Sequence, residues 1–215
     1  MPNHPDLAAR RRRRPRTELV PRIREAARIL FARKGYAATT REIAQHAGVS
    51  ETLLFLYFGD KRALFRDVIS SPFSALMAEM RSLPPSTDEQ RQHGVDYMTR
   101  HVFEMLEGNR DLLRAVMSCL DAVDDNAIQI PALDEFLASA TEDVRASYLS
   151  AGLDPPTNLD IQVRLSFGTI AASVMLRRWL FPVAPPHEAL VATLQQLVNR
   201  SIHGGIPSPH ERNLG

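Results

Sequence analysis

Hydrophobic residues recur at every third or fourth position along most of this chain, which is the spacing of one face of an α-helix. The first clear case is the segment 17–34, in which Leu19, Ile23, Ala27 and Leu30 fall on one stripe. No segment of useful length alternates polar and apolar residues as a half-buried strand does. The pattern therefore predicts an all-α fold of about nine helices.

Glycine, proline and capping residues divide this pattern into separate helices. Beyond residue 60 they predict a long fourth helix, then helices over about 86–107, 111–122, 131–150, 158–181 and 187–203. Pro72 lies inside the fourth helix, so we expect a kink or break near residues 70–71, which is either a moving hinge or a static bend.

The stretch 39–58 reads as two short helices joined by a tight turn. Thr39 and Glu42 form an S/T-x-x-E capping box, Gly48 suits a left-handed turn, and Ser50 caps the next helix over Glu51 to Tyr57. This order is typical of a helix-turn-helix, whose second helix enters the major groove of DNA. The alternative is an ordinary helical hairpin in an all-α protein.

The flanking residues favour the DNA-reading interpretation. The segment 29–64, ILFARKGYAATTREIAQHAGVSETLLFLYFGDKRAL, resembles the N-terminal domain of the tetracycline-repressor (TetR) family over roughly residues 17–70. The resemblance implies an N-terminal three-helix DNA-binding domain followed by a helical domain for ligand binding and dimerisation. The resulting division is a basic disordered arm (1–16), the DNA-binding domain (17–70), the ligand-binding and dimerisation domain (71–205) and a flexible tail (206–215).

The reading helix departs from the family pattern at Leu53, which cannot offer a hydroxyl to a phosphate, and at Phe55, which lacks a phenol. The family's contacts then fall on Thr52, Leu56 and Tyr57, with Lys61 at the start of the next helix. Leu56 can make only an apolar contact, such as one to a thymine methyl group. The complete set of predicted DNA contacts in this domain is Thr39, Thr40, Arg41, Ser50, Glu51, Thr52, Leu56, Tyr57 and Lys61.

Charge is strongly polarised along the chain. Residues 1–66 hold 15 Lys and Arg against 6 Asp and Glu (net +9), and residues 67–215 hold 11 against 19 (net −8). A basic head on an acidic body supports binding of a polyanion at one end. The arm is either an extension along DNA phosphates or into a minor groove, or a solubilising tail. Its candidate contacts are Arg10, Arg11, Arg12, Arg13, Arg14 and Arg16.

The resemblance also implies a cavity for a small-molecule effector in residues 85–180 and pairing of the last two long helices with a second copy. Phe103, Met117, Tyr148 and Met175 are candidates to line the cavity, although simple core packing is the alternative for each. Sparse internal charge favours an apolar or aromatic effector. The candidate dimer contacts are Leu165, Gly168, Ala172, Trp179, Leu190, Leu194 and Leu197.

Other chemistry finds little support in the sequence. No nucleophile elbow, GxGxxG or P-loop occurs, so we expect no catalytic residues and no cofactor. His93 and His101 lie two turns apart along one predicted helix face, with Glu104 and Glu107 following. Solvated or pocket-lining histidines are favoured there over a metal site, so we expect none. A lone Cys119 excludes an internal disulfide framework. No apolar run is long enough to span a membrane, and no signal peptide is visible, so we expect a cytoplasmic protein.

These features predict a homodimeric transcriptional repressor that binds a palindromic double-stranded DNA operator and is released by the effector. One alternative is an activator or a DNA binder that needs no ligand. Another is a helical enzyme or scaffold with a vestigial reader, which the apolar run 53–56 keeps open.

Overall fold

The computed structural model describes residues 16–82, 94–120 and 130–203, with side chains over 17–81, 94–117 and 130–202. These residues form ten α-helices and one 3₁₀ turn (Gly35–Ala37), which confirms the all-α prediction. The helices are α1 (Arg16–Lys34), α2 (Thr40–Ala47), α3 (Glu51–Phe58), α4 (Lys61–Ser82), α5 (Gly94–Gly108), α6 (Arg110–Leu120), α7 (Pro131–Ser150), α8 (Leu159–Met175), α9 (Arg177–Leu180) and α10 (His187–His203).

The first four helices enclose an N-terminal core. Ile23 of α1, Ile43 of α2, Leu54 of α3 and Phe65 of α4 are fully buried in it. Phe31 meets the edge of Phe65 with ring centroids 4.7 Å apart, a favoured aromatic geometry. These contacts fix the position of α3 relative to its supports.

This N-terminal core also receives a helix from the body of the protein. Leu112 and Ala115 of α6 are buried against it. This part of α6 therefore packs on the N-terminal core, although the sequence-based division places it in the domain 71–205. Packing of this kind joins the two parts of the chain through α6 as well as through α4.

The second core lies in the body, where α5, α7, α8 and α10 share a hydrophobic core with the C-terminal half of α4. Phe103 and Val191 are fully buried there. The Tyr148 hydroxyl donates a hydrogen bond of 2.5 Å to the carbonyl of Ile202, which fastens α7 to the end of α10. Nothing in the described part of the chain is long and apolar enough as a helix to cross a membrane.

Of the two outcomes expected at residues 70–71, a kink or a break, the break does not occur. Helix α4 continues from Lys61 to Ser82 with Pro72 inside it. Val68 and Ile69 are buried in the N-terminal core, while Phe73 and Leu76 are buried in the body core. Burial on both sides of the proline offsets the roughly 3 kcal/mol that an internal proline costs.

Two other helix boundaries differ from the predictions. The helix expected over 158–181 ends at Met175, and Leu176 separates it from the short α9. Helix α1 already includes Arg16, one residue before the predicted segment 17–34. The first residues of the helix expected over 86–107 lie outside the described part of the chain.

Candidate nucleic-acid interface

The start of α2 is locked by a reciprocal cap. The Thr39 hydroxyl accepts from the Glu42 backbone N–H at 3.2 Å, and the Glu42 carboxylate accepts from the Thr39 backbone N–H at 3.0 Å. Lys34 adds an ion pair to Glu42 at 2.7 Å. The Lys34 hydrogen bond and then the Thr39 bonds lower the pKa of Glu42 to about 2. The capping box predicted from the sequence is present.

A left-handed glycine makes the turn between the two helices. Gly48 has φ +65°, and its N–H donates to the carbonyl of Gln45 at 3.1 Å, while the N–H of Val49 donates to the carbonyl of Ala44 at 3.0 Å. A side chain at Gly48 would require a strained backbone, and its Cβ would lie 2.9 Å from the guanidinium of Arg22.

Arg22 of α1 clamps this turn, and no pattern in the sequence pointed to that role. Its Nη2 donates to the carbonyl of Ala47, the last residue of α2, at 2.7 Å. A positive group at a helix C-terminus also complements the helix dipole. This hydrogen bond fixes the reading hairpin, which consists of α2, the turn at Gly48 and α3, to α1 at the point where the chain turns toward α3.

Helix α3 buries one side and exposes the other. Ser50 caps it by accepting from the Leu53 N–H at 3.2 Å, and Leu54 points into the N-terminal core with no exposed surface. Thr52 and Leu56 lie on the outer side, where the Leu56 side chain is 73% exposed. The outer face of α3 is therefore exposed, as insertion into a DNA groove requires.

Two of the predicted DNA contacts are joined to each other. The Thr40 hydroxyl donates to the Glu51 carboxylate, which links the first turn of α2 to the first turn of α3. Both side chains are half-buried, whereas Thr39 and Arg41 are exposed. Thr40 and Glu51 thus set the angle between the helices of the hairpin.

The start of α4 lies beside the hairpin. Asp60 caps it through a 2.7 Å bond from the Ala63 N–H, and the Lys61 ammonium lies 4.3 Å from the centroid of the Tyr36 ring. Tyr57 is half-buried at the end of α3. The predicted contacts of the arm fall on residues 1–15 and on the side chain of residue 16, which lie outside the described part of the chain.

The structure does not gather the four predicted cavity residues. Phe103 and Tyr148 are core residues, Met175 is half-buried, and Met117 is exposed on α6. A cleft of about 610 Å³ instead lies between α1, α4 and α5 and is lined by none of the four. Tyr148 lines a second cleft of about 430 Å³ near the ends of α7 and α10.

The predicted dimer residues fall into two groups. Leu190 and Leu194 are buried in the core of the single chain. Leu165, Gly168 and Leu197 are exposed, Ala172 is half-buried, and Trp179 is 89% exposed. Other exposed apolar residues lie outside the predicted set, on α8, on either side of and within α9, and in the loop after it: Ile161, Leu176, Leu180 and Val183. In the described residues, no group of three or more potential metal ligands is found together.

Comparison with known proteins bears on the reading hairpin directly. Residues 23–68 match the family model of bacterial regulatory proteins of the tetR family, so the resemblance predicted from residues 17–70 is confirmed. No curated protein matches the sequence.

Solved structures extend the likeness to the whole described fold. The fatty acid degradation regulator FadR from Bacillus halodurans is 20% identical, with a TM-score of 0.65 over 86% of this chain and 95% of that one. FadR from Bacillus subtilis, solved with stearoyl-CoA, is 19% identical, with a TM-score of 0.62 over 86% and 98%. The TetR-family regulator PfmR from Thermus thermophilus is 19% identical, with a TM-score of 0.60 over 83% and 97%.

Proposed function

We propose that this chain, whose residues 23–68 match the tetR family of bacterial regulatory proteins, is a transcriptional repressor that binds a palindromic DNA operator as a homodimer. A small molecule bound in the body releases it from DNA. The observation that carries the proposal is the exposed outer face of α3 on a hairpin whose start, turn and inner face are all held in place. We propose no catalytic activity, and we place the protein in the cytoplasm with the DNA.

The reading face combines few polar groups with exposed apolar surface. Thr52 can contact either a base edge or a phosphate, and Leu56 suits the methyl group of thymine. Lys61 at the start of α4, with the free N–H groups there, suits a phosphate. The exposed Arg41 and the arginines of the arm add attraction to the backbone, which carries no sequence information.

Two copies are needed because one short helix spans few base pairs, and a two-fold axis doubles the site. We propose that the exposed apolar surface of α8, α9 and the following loop covers its counterpart in a second copy. The proposed contacts are the accessible members of the predicted set, above all Leu165, Trp179 and Leu197. Leu190 and Leu194 support this surface from inside the chain.

An apolar or aromatic effector agrees with the fold comparison. A regulator of this fold, FadR from Bacillus subtilis, has been solved with stearoyl-CoA, a molecule with a long apolar chain. In our proposal the effector binds more tightly to the conformation that does not fit the operator, because only a difference in affinity shifts such an equilibrium.

Selection of bound DNA from a random pool tests the proposal. The expected result is an enriched inverted repeat, with binding lost when one compound of a metabolite panel is added. Leu56→Ala should change the enriched sequence, while Leu149→Ala, an exposed leucine on α7, should not. If the wild-type chain enriches no inverted repeat, the proposed binding to a palindrome is overturned.

A further inference from the structure

We propose that the cleft between α1, α4 and α5 is a binding site for an amphipathic organic cation, a small molecule with an apolar body and an ammonium head. The further consequence, a change in DNA affinity when the site is filled, rests on the function proposed above. The binding site itself does not depend on that function.

The shape of the cleft suits a small molecule. Its volume of about 610 Å³ lies in the usual range for ligand sites. Pro72 and Leu76 of α4 and Met105 of α5 supply apolar lining on one side. An alkyl chain or ring laid on these residues would remove apolar surface from water, which is the main source of favourable binding energy for such a molecule.

The arginines that line the cleft are already neutralised. The Nε and Nη2 of Arg24 donate to the two carboxylate oxygens of Asp67 at 2.6 and 3.0 Å. The same two nitrogens of Arg28 donate to the carboxylate of Glu25 at 2.8 and 2.6 Å. Each guanidinium thus forms a bidentate ion pair with a carboxylate, so the α1 wall offers little net positive charge to an anionic ligand.

The carboxylate of Glu104 on the opposite wall is poorly compensated. Its nearest cation, Arg100, makes two bonds to Glu188 at 3.1 and 2.7 Å and stays 3.6 Å from Glu104. Arg100 is therefore shared between two carboxylates, which leaves negative charge at Glu104 on the α5 wall of the cleft.

His101 lines the same wall of the cleft. Its ring stacks on Tyr97 with centroids 3.8 Å apart, and its Nδ1 lies 2.8 Å from the Tyr97 carbonyl. Because a carbonyl oxygen only accepts, Nδ1 is the donor in this contact, and Nε2 takes no part in it. A ligand that pairs with the Glu104 carboxylate has to bring N–H donors, which an ammonium head does and a carboxylate head does not.

The cleft lies between helices of the two cores, so a bound ligand can affect how the cores are positioned relative to each other. Helix α1 belongs to the N-terminal core and α5 to the body core, while α4 contributes to both. A molecule that contacts α1 and α5 together is sensitive to their separation. Its binding therefore favours one relative position of the reading hairpin and the body.

Calorimetric titration of the full chain with decylammonium and with decanoate tests the site, because the two molecules differ mainly in the charge of the head. We expect decylammonium to bind and decanoate to bind at least tenfold more weakly. Glu104→Gln should weaken decylammonium about tenfold, the scale of one lost charge-assisted hydrogen bond. Glu142→Gln, at an exposed carboxylate on α7 outside the cleft, is the matched control and should bind normally.

Ala75→Trp provides an independent variant, because Ala75 is exposed and lines the cleft, so a large side chain there fills the space without replacing a core residue. Decylammonium binding should be lost in this variant. Equal or tighter binding of decanoate, or equal affinities of Glu104→Gln and Glu142→Gln, would overturn the proposed cation site. Unchanged binding in Ala75→Trp would place the ligand elsewhere and overturn it as well.

A second measurement separates this site from the proposed function. Fluorescence anisotropy measures the affinity of the chain for the selected DNA. Saturating decylammonium should change this affinity in the wild-type chain and not in Ala75→Trp. Binding of decylammonium with unchanged DNA affinity would overturn the regulatory consequence and leave the site standing. A chain that binds no DNA at all would overturn the proposed function, while the titration without DNA still decides the site.

Discussion

The contacts that stabilise the reading hairpin and those that stabilise the body differ in the sequence separation of their partners. In the hairpin, Thr39 bonds to Glu42 three positions away and Lys34 to Glu42 eight positions away. In the body, Tyr148 bonds to Ile202 across 54 positions and Arg100 to Glu188 across 88. Short-range contacts leave a signature in the sequence, and long-range contacts do not. The comparison explains why the hairpin was predicted closely and the long-range bonds of the body were not.

The largest effect should follow from opening the body core. Phe103→Ala removes a fully buried ring and should lower the free energy of unfolding by about 4 kcal/mol. Chemical denaturation of the variant measures this loss. Leu149→Ala, at an exposed position on α7, should lose less than about 0.5 kcal/mol. Similar losses for the two variants would show that the body is not organised around Phe103.

Assembly should be the next most sensitive property. Trp179→Asp places a charge on the exposed apolar surface of α9 and should weaken the proposed dimer roughly a hundredfold, the scale of an interface hot spot. Sedimentation velocity over a concentration series measures the change. Since Trp179 is almost wholly exposed in the single chain, the fold of the monomer should be retained. A dimer of unaltered affinity would place the interface on another surface.

The hairpin should respond to loss of its cap by a smaller amount. Thr39→Ala removes the side-chain half of the capping box and should cost about 1 kcal/mol of stability together with part of the DNA affinity. Thr193→Ala is a matched control, because that threonine lies inside α10 and bonds to the Ala189 carbonyl of its own helix. Denaturation and DNA-binding titrations of both variants test the role of the cap. Equal losses would show that Thr39 contributes nothing specific to its position.

The smallest effect should be a loss of thermal stability at acid pH that depends on Glu42. The pKa of Glu42 is lowered from 4.5 to about 2 by its bonds to Lys34 and Thr39, so the folded state favours the charged carboxylate. This contribution is fully present above pH 4.5 and is lost as the pH falls toward 2. The thermal midpoint of wild type should therefore fall more between about pH 5 and about pH 2.5 than that of Glu42→Gln. Parallel curves would remove Glu42 from the acid sensitivity of the hairpin.

Residue patterns alone determined the all-α class, the capped hairpin at Thr39, Gly48 and Ser50, and the start of α10 at His187. Each depends on spacing or on backbone preference within a few residues, which is written in consecutive positions.

Only the tertiary structure decided which apolar residues are core and which are surface. Leu190 and Leu197 lie on the same helix, yet Leu190 is buried and Leu197 is exposed, because other helices cover one side of α10. Packing also carries α4 through Pro72 and brings α6 into the N-terminal core. The cleft between α1, α4 and α5 arises in the same way, since its walls come from segments that meet only when the chain has folded.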